Sequence, residues 1–204
     1  MAKRSSRIVG GTVTEKNEYP WQVGLVNKDD NYVWCGASLI SNQWILTAAH
    51  CTAGEALGDL QVLLGVHNYN HEGATTTIRM DISEIVDHPD YESRSTNYDF
   101  SLLKMATPLN FDDYPHIRPV CLPENDSNDY SGFVATVTGW GTTASGGSTS
   151  NKLREVNVDV ISNDQCRNDF SYSSSSITDQ MMCAYVPGGG KDACQGDSGE
   201  VGFS

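Results

Sequence analysis

Short apolar runs separated by turn residues recur along the first half of the chain. They are "WQVGLV" (21–26), "GASLI" (36–40), "WILTAA" (44–49), "LQVLLGV" (60–66), "TTTIRMDISEIV" (75–86) and "DFSLLKM" (99–105). Bounded by clusters of Gly, Asn, Asp and Ser, they read as six β-strands. A second set, "FVATVTGW" (133–140), "LREVNVDVI" (153–161) and "QMMCAYV" (180–186), supplies only three. Between the sets, "PLNFDDYPHIRPVCLPENDSND" (108–129) is rich in Pro, Asp and Asn and reads as an interdomain linker. The stretches 141–152 and 171–179 are polar and aperiodic, which predicts exposed, mobile loops. A single helical turn is predicted at "SNDQCRNDF" (162–170), with Ser162 or Asn163 as its cap. No repeat of 20–50 residues is evident.

Composition agrees with a loop-rich all-β protein, and 204 residues suffice for one or two domains with a real core. The net charge of −13 argues against a nucleic-acid or anionic-membrane partner, which would call for a basic surface. A solvated acidic surface explains that charge better than attraction to basic substrates does. No apolar run approaches a membrane span. The basic start "MAKRSSR" lacks a following apolar segment and is no signal peptide. The six cysteines, Cys35, Cys51, Cys121, Cys166, Cys183 and Cys194, form no Cys-x-x-Cys pair and have no histidine cluster beside them. They read as disulfides, hence an oxidising compartment, with the natural N-terminus missing from this chain.

Three sites carry candidate chemistry. His50 ends an apolar strand in "LTAAHC", Asp99 precedes another in "NYDFSLLK", and Ser198 sits in "GDSG". Alone, each has a plainer reading: a half-buried histidine, a turn aspartate, a short motif met by chance. Together they match a known need. A serine hydroxyl requires a base to take its proton, imidazole is such a base, and a carboxylate on the far nitrogen fixes its tautomer. No His-Glu-x-x-His or similar spacing suggests a metal hydrolase.

With "RIVGG", "YPWQV", "CGASLI", "WILTAAHC", "RPVCLP", "TGWG" and "GGGKDACQGDSG", the chain resembles the serine endopeptidases of the chymotrypsin/trypsin family from Arg7 to Gly199. The resemblance implies an all-β fold of two six-stranded antiparallel barrels. The second would be incomplete here, because Glu200 to Ser204 depart from the family's continuation. It divides the chain into an activation-peptide remnant (1–7), a first barrel (8–109), a linker (110–124) and a truncated second barrel (125–204).

The same resemblance assigns roles. Ser198 would attack the carbonyl, His50 serve as general base and then acid, and Asp99 orient His50. The N–H groups of Gly196 and Ser198 would form the oxyanion hole. Asp192 would lie at the base of the primary pocket and select Lys or Arg, although an ordinary loop aspartate beside Lys191 is the alternative. Cleavage after Arg7 would free the Ile8 ammonium to pair with Asp197, making the uncut chain a zymogen; otherwise Arg7 is a basic tail residue. Disulfides Cys35–Cys51 and Cys166–Cys183 are implied. Cys194 would pair beyond this chain and Cys121 with a longer pro-segment, leaving both unpaired unless they join each other.

No cofactor is implied, and no metal. In the stretch 66–75, where some relatives bind calcium, Val66 and Thr75 replace carboxylates and only Glu72 is acidic. Substrates would be proteins or peptides with Lys or Arg at the cleavage site. Protein protease inhibitors are further expected partners, and a secreted monomer is expected. Asn125 opens an Asn-Asp-Ser sequon that secretion would make usable. The alternative function is a catalytically inactive protease homologue acting as a binding or regulatory protein. For the chain as written, little or no turnover is expected.

Overall fold

In a computed structural model of the chain, the structure describes residues 11–71, 76–125, 128–142, 148–186 and 202–203. The six runs of the first set become β2 (Gln22–Asn27), β3 (Cys35–Leu39), β4 (Trp44–Thr47), β5 (Leu60–Leu64), β6 (Ile78–Asp87) and β7 (Ser101–Met105). They close into an antiparallel barrel in the order β2-β3-β4-β7-β6-β5. Closure leaves no edge strand, which removes a template for unwanted pairing. In β7, Ser101, Leu103 and Met105 are buried while Leu102 and Lys104 are half-buried, the period-2 pattern of a strand with one face inward.

β2 departs from that alternation, being buried from Gln22 to Val26. Val23 and Leu25 fill the barrel interior with Leu39, Ile45, Val62, Leu64, Leu103 and Met105. Val26 faces the other way, into a cluster of Val33, Leu63, Val66, Tyr69, Trp140 and Leu153. Covering both faces explains the near-continuous apolar run. Gly24 lies between these positions because a Cβ there would sit 2.7 Å from the Val33 Cγ2 atom.

Among the described residues the second sheet has five strands rather than the three that periodicity suggested. β8 (Val134–Gly139), β9 (Arg154–Ile161) and β10 (Cys183–Tyr185) are the three. β1 (Thr12–Val13) and β11 (Gly202–Phe203) are the additions, and at two residues each they are too short to show any period. β8 pairs with β11 and β9, while β1 and β10 share the other edge of β9 at Arg154–Glu155 and Asp159–Ile161. Among the described residues this sheet does not close. The fold is therefore chymotrypsin-like: one closed six-stranded barrel and a second, partial sheet.

Among the described residues two α-helices interrupt the strands: α1 (Ala49–Thr52) and α2 (Asn163–Phe170). α2 makes two turns instead of the single one expected. Ser162 is its cap, its Oγ accepting the Gln165 N–H at 3.1 Å, and Ser171 ends it in a left-handed conformation. The described residues of the stretch 108–129 form no strand, and 109–120 run along the first barrel. Leu109 N–H donates to Asn42 O at 2.7 Å and Val120 N–H to Leu39 O at 2.9 Å. Ile117 is buried in the barrel core. In the stretch 141–152, Gly141 is buried and Ser150 N–H bonds Trp140 O at 3.1 Å, so its described ends are anchored, unlike a free loop. The stretch 171–179 is largely exposed, as expected. No helix among the described residues is long and apolar enough to cross a membrane.

Candidate active site

β4 ends at Thr47 and the chain turns at once into α1, which carries His50. Four contacts hold that turn. Thr47 Oγ1 donates to Gly36 O at 2.8 Å, and Thr52 Oγ1 donates to Asp87 Oδ1 at 2.6 Å. The Ala53 N–H closes on Ala49 O at 2.8 Å. Cys51, next to His50, is disulfide-bonded to Cys35 on β3. A one-turn helix is marginal by itself, so these tertiary ties fix the place of His50.

Asp99 comes from the neighbouring strand's end, in the loop 88–100 just before β7, whose Ser101 pairs with Thr47 of β4. Its Oδ1 accepts the His50 backbone N–H at 2.7 Å and its Oδ2 meets His50 Nδ1 at 2.6 Å. A carboxylate can only accept, so the second contact requires the proton on Nδ1. In neutral imidazole that leaves Nε2 as the basic nitrogen. The His50 side chain is 38% exposed and so reachable by a reactant, while that of Asp99 is 23% exposed. Tyr91 stands nearby with its phenol pushed above its ordinary range, by burial first and then by the charges of Asp99 and Asp87.

The loop that carries Asp99 is tied down internally and from outside. Thr96 N–H bonds Glu92 O at 2.8 Å, and Glu92 and Asn97 form a short antiparallel bridge. From the second half of the molecule, Thr178 Oγ1 donates to Asn97 Oδ1 at 2.6 Å. Asn163 of α2 holds that neighbour in turn, donating to Thr178 O at 3.0 Å and Met181 O at 2.8 Å. Arg167 adds bonds to Ile177 O at 3.0 and 2.7 Å. Cys166–Cys183 fastens α2 to β10. The turn residues of "HPDYESRSTN" mark this loop in sequence, but nothing there pairs Asn97 with Thr178.

Among the described residues one group has the proximity of metal ligands: Cys35, His50 and Cys51. Both sulfurs are consumed in a disulfide, so the group offers no thiolate. Cys121 is exposed and has no partner among the described residues. Ser198, Gly196, Asp192, Asp197, Cys194, Arg7 and Ile8 lie outside the described residues, as do Glu72, Thr75 and the last two residues of the Asn125 sequon.

Histidine and aspartate brought together at the ends of adjacent strands of a six-stranded antiparallel barrel, with a second sheet beside it, match a known family. The family model "Trypsin" fits residues 8–200. The chain belongs to the trypsin family. It is similar to Ovochymase-2 of Mus musculus, 40% identical over 198 residues covering 95% of this chain and 32% of that protein. It is also similar to Serine proteinase stubble of Drosophila melanogaster, 37% identical over 206 residues covering 98% of this chain and 26% of that protein. The trypsin-family chain thus spans about a third or less of these relatives' length. Its family is one of serine endopeptidases.

Proposed function

We propose that this chain is a serine endopeptidase domain that cleaves after Lys or Arg and is released from a zymogen by a cut at Arg7–Ile8. The observation that carries this reading is the pairing of His50 with Asp99, which leaves Nε2 of His50 as the basic nitrogen of the neutral ring. Nε2 would take the Ser198 Oγ proton as that oxygen attacks the scissile carbonyl, then return it to the leaving amine as the acyl-enzyme forms. Water, deprotonated by the same nitrogen, would release the acid product. The N–H groups of Gly196 and Ser198 would hold the developing oxyanion, a contact whose loss typically costs ~10²–10³ in rate.

Asp192 would select a cationic side chain through a charge-assisted contact. The freed Ile8 ammonium would pair with Asp197 and shape the oxyanion hole, and losing a buried pair of that kind costs about 3–5 kcal/mol. Two disulfides in a trypsin-family chain favour a secreted, extracellular protein acting on protein substrates. Division into a first barrel (8–109), a linker (110–124) and a second barrel (125–204) belongs to the same proposal.

The test compares peptide amides ending in Arg, Lys or Phe before and after cleavage at Arg7. Ratios of rates are read, so low absolute turnover is no obstacle. Hydrolysis is expected only after cleavage, at least about tenfold faster for Arg and Lys than for Phe. Ser198→Ala should abolish it. Hydrolysis that survives that substitution, or a preference for Phe, sinks the reading.

A further inference from the structure

Tyr98, immediately before Asp99, has φ 53°, a left-handed backbone that a bulky side chain rarely adopts. Its backbone angles set the direction in which the Asp99 carboxylate leaves the chain, so an extended Tyr98 would turn Asp99 away from His50. Something must hold Tyr98 there. Its ring lies flat on the imidazole of His88, with centroids 4.8 Å apart and planes 9° from parallel.

That imidazole is itself seated. His88 Nδ1 accepts the Asp90 N–H at 3.2 Å. The His88 N–H donates to Phe100 O, and the His88 carbonyl accepts from Tyr91 N–H, both at 2.9 Å. Phe100 N–H closes on Tyr98 O at 2.8 Å. The two rings therefore join the base of the loop, 88, to the residues on either side of Asp99. An aromatic stack is of the same order as the penalty for a left-handed non-glycine residue, so one can offset the other.

We propose that Tyr98, seated on His88, is a positioning residue for Asp99: the stack holds the left-handed backbone that aims the carboxylate at His50. The proposal rests on His50 and Asp99 acting as base and orienter. It assigns Tyr98 no contact with substrate.

The test uses the full chain and the proton on His50 Nδ1, read by proton NMR. A short hydrogen bond to a carboxylate moves that resonance far downfield, and the readout needs neither turnover nor Ser198. Tyr98→Phe should keep the resonance, because the stack survives. Tyr98→Ala should lose it, since the backbone penalty stays and the ring is gone. Tyr98→Gly should restore it, because glycine adopts positive φ freely.

His88→Ala should likewise lose the resonance in the otherwise unaltered chain and leave it unchanged in the Tyr98→Gly background. An undiminished resonance in Tyr98→Ala overturns the proposal. If that variant does not fold, the glycine background decides: a resonance absent from folded Tyr98→Gly, or removed there by His88→Ala, overturns it equally. Absence of the resonance from the unaltered chain overturns the His50–Asp99 pair itself, and the proposal with it.

Discussion

Asp99 spends both oxygens on one residue, the backbone N–H and the ring Nδ1 of His50. That double use makes Asp99→Asn informative. The amide oxygen can still take the backbone N–H, but the amide nitrogen must then donate to Nδ1. The imidazole is forced into the other tautomer, with its proton on Nε2 and no basic nitrogen there. In the activated protein kcat should fall about 10⁴-fold, the loss established for the same exchange elsewhere in this family, while the fold stays intact. A kcat within tenfold of the unaltered protein would remove Asp99 from the orienting role. At this scale the sequence was legible for His50 and Asp99 only jointly, because the linear motifs "LTAAHC" and "NYDFSLLK" match a known family where each alone has a plainer reading. Tyr98, Asn97 and Thr178 carry no such mark: a left-handed tyrosine and a hydrogen bond across 81 residues exist only in the folded chain.

α2 shows what a single cap does for an element. Its eight residues are too few for stability in isolation, and Cys166 is its only buried side chain. Ser162 supplies one of the missing acceptors at its N-terminus, and Arg167 ties its last turn to Ile177 O. Ser162→Ala should destabilise the protein by about 1 kcal/mol in denaturant unfolding, with little change in activity. A loss below a few tenths would mean that the disulfide and Arg167 hold the helix without the cap. The six strands of the first barrel were legible because each carries its own apolar run. β1 and β11 were not, because two residues carry no period and only the edges of β8 and β9 select them.

The two sheets meet where β2 and β5 turn apolar side chains outward onto Trp140 and Leu153. Thr138 Oγ1 donates to Gln22 Oε1 at 2.6 Å across this junction, and Trp140 Nε1 to His67 O at 3.2 Å. His67 itself is placed between the two halves: Thr14 Oγ1 lies 3.3 Å from its Nδ1, and Leu153 N–H bonds its carbonyl at 2.8 Å. Its imidazole is held below the ordinary value of 6.5, by burial first and then by Lys152 and Lys16.

Because protonation is easier in the unfolded chain, the unfolded state binds more protons just below that value. The contribution of His67 is then fully present above pH 6.5 and is lost progressively as pH falls beneath it. His67→Gln should flatten the pH dependence of Tm in that range. An unchanged slope would place the acid sensitivity elsewhere.

By itself, the sequence determined the family, the six strands of the first barrel and the residues worth pairing. Short-range apolar patterning and linear motifs are written residue by residue. Tertiary structure alone decided which residues meet. It paired β4 with β7, Thr47 opposite Ser101, so that α1 and the loop 88–100 face each other, and it recruited two-residue strands to the second sheet. It also laid a polar, Pro-rich stretch along the first barrel and wedged His67 between the halves. Those outcomes depend on contacts between residues far apart in the chain, where no local pattern records the partner and only mutual burial and hydrogen-bond satisfaction choose it.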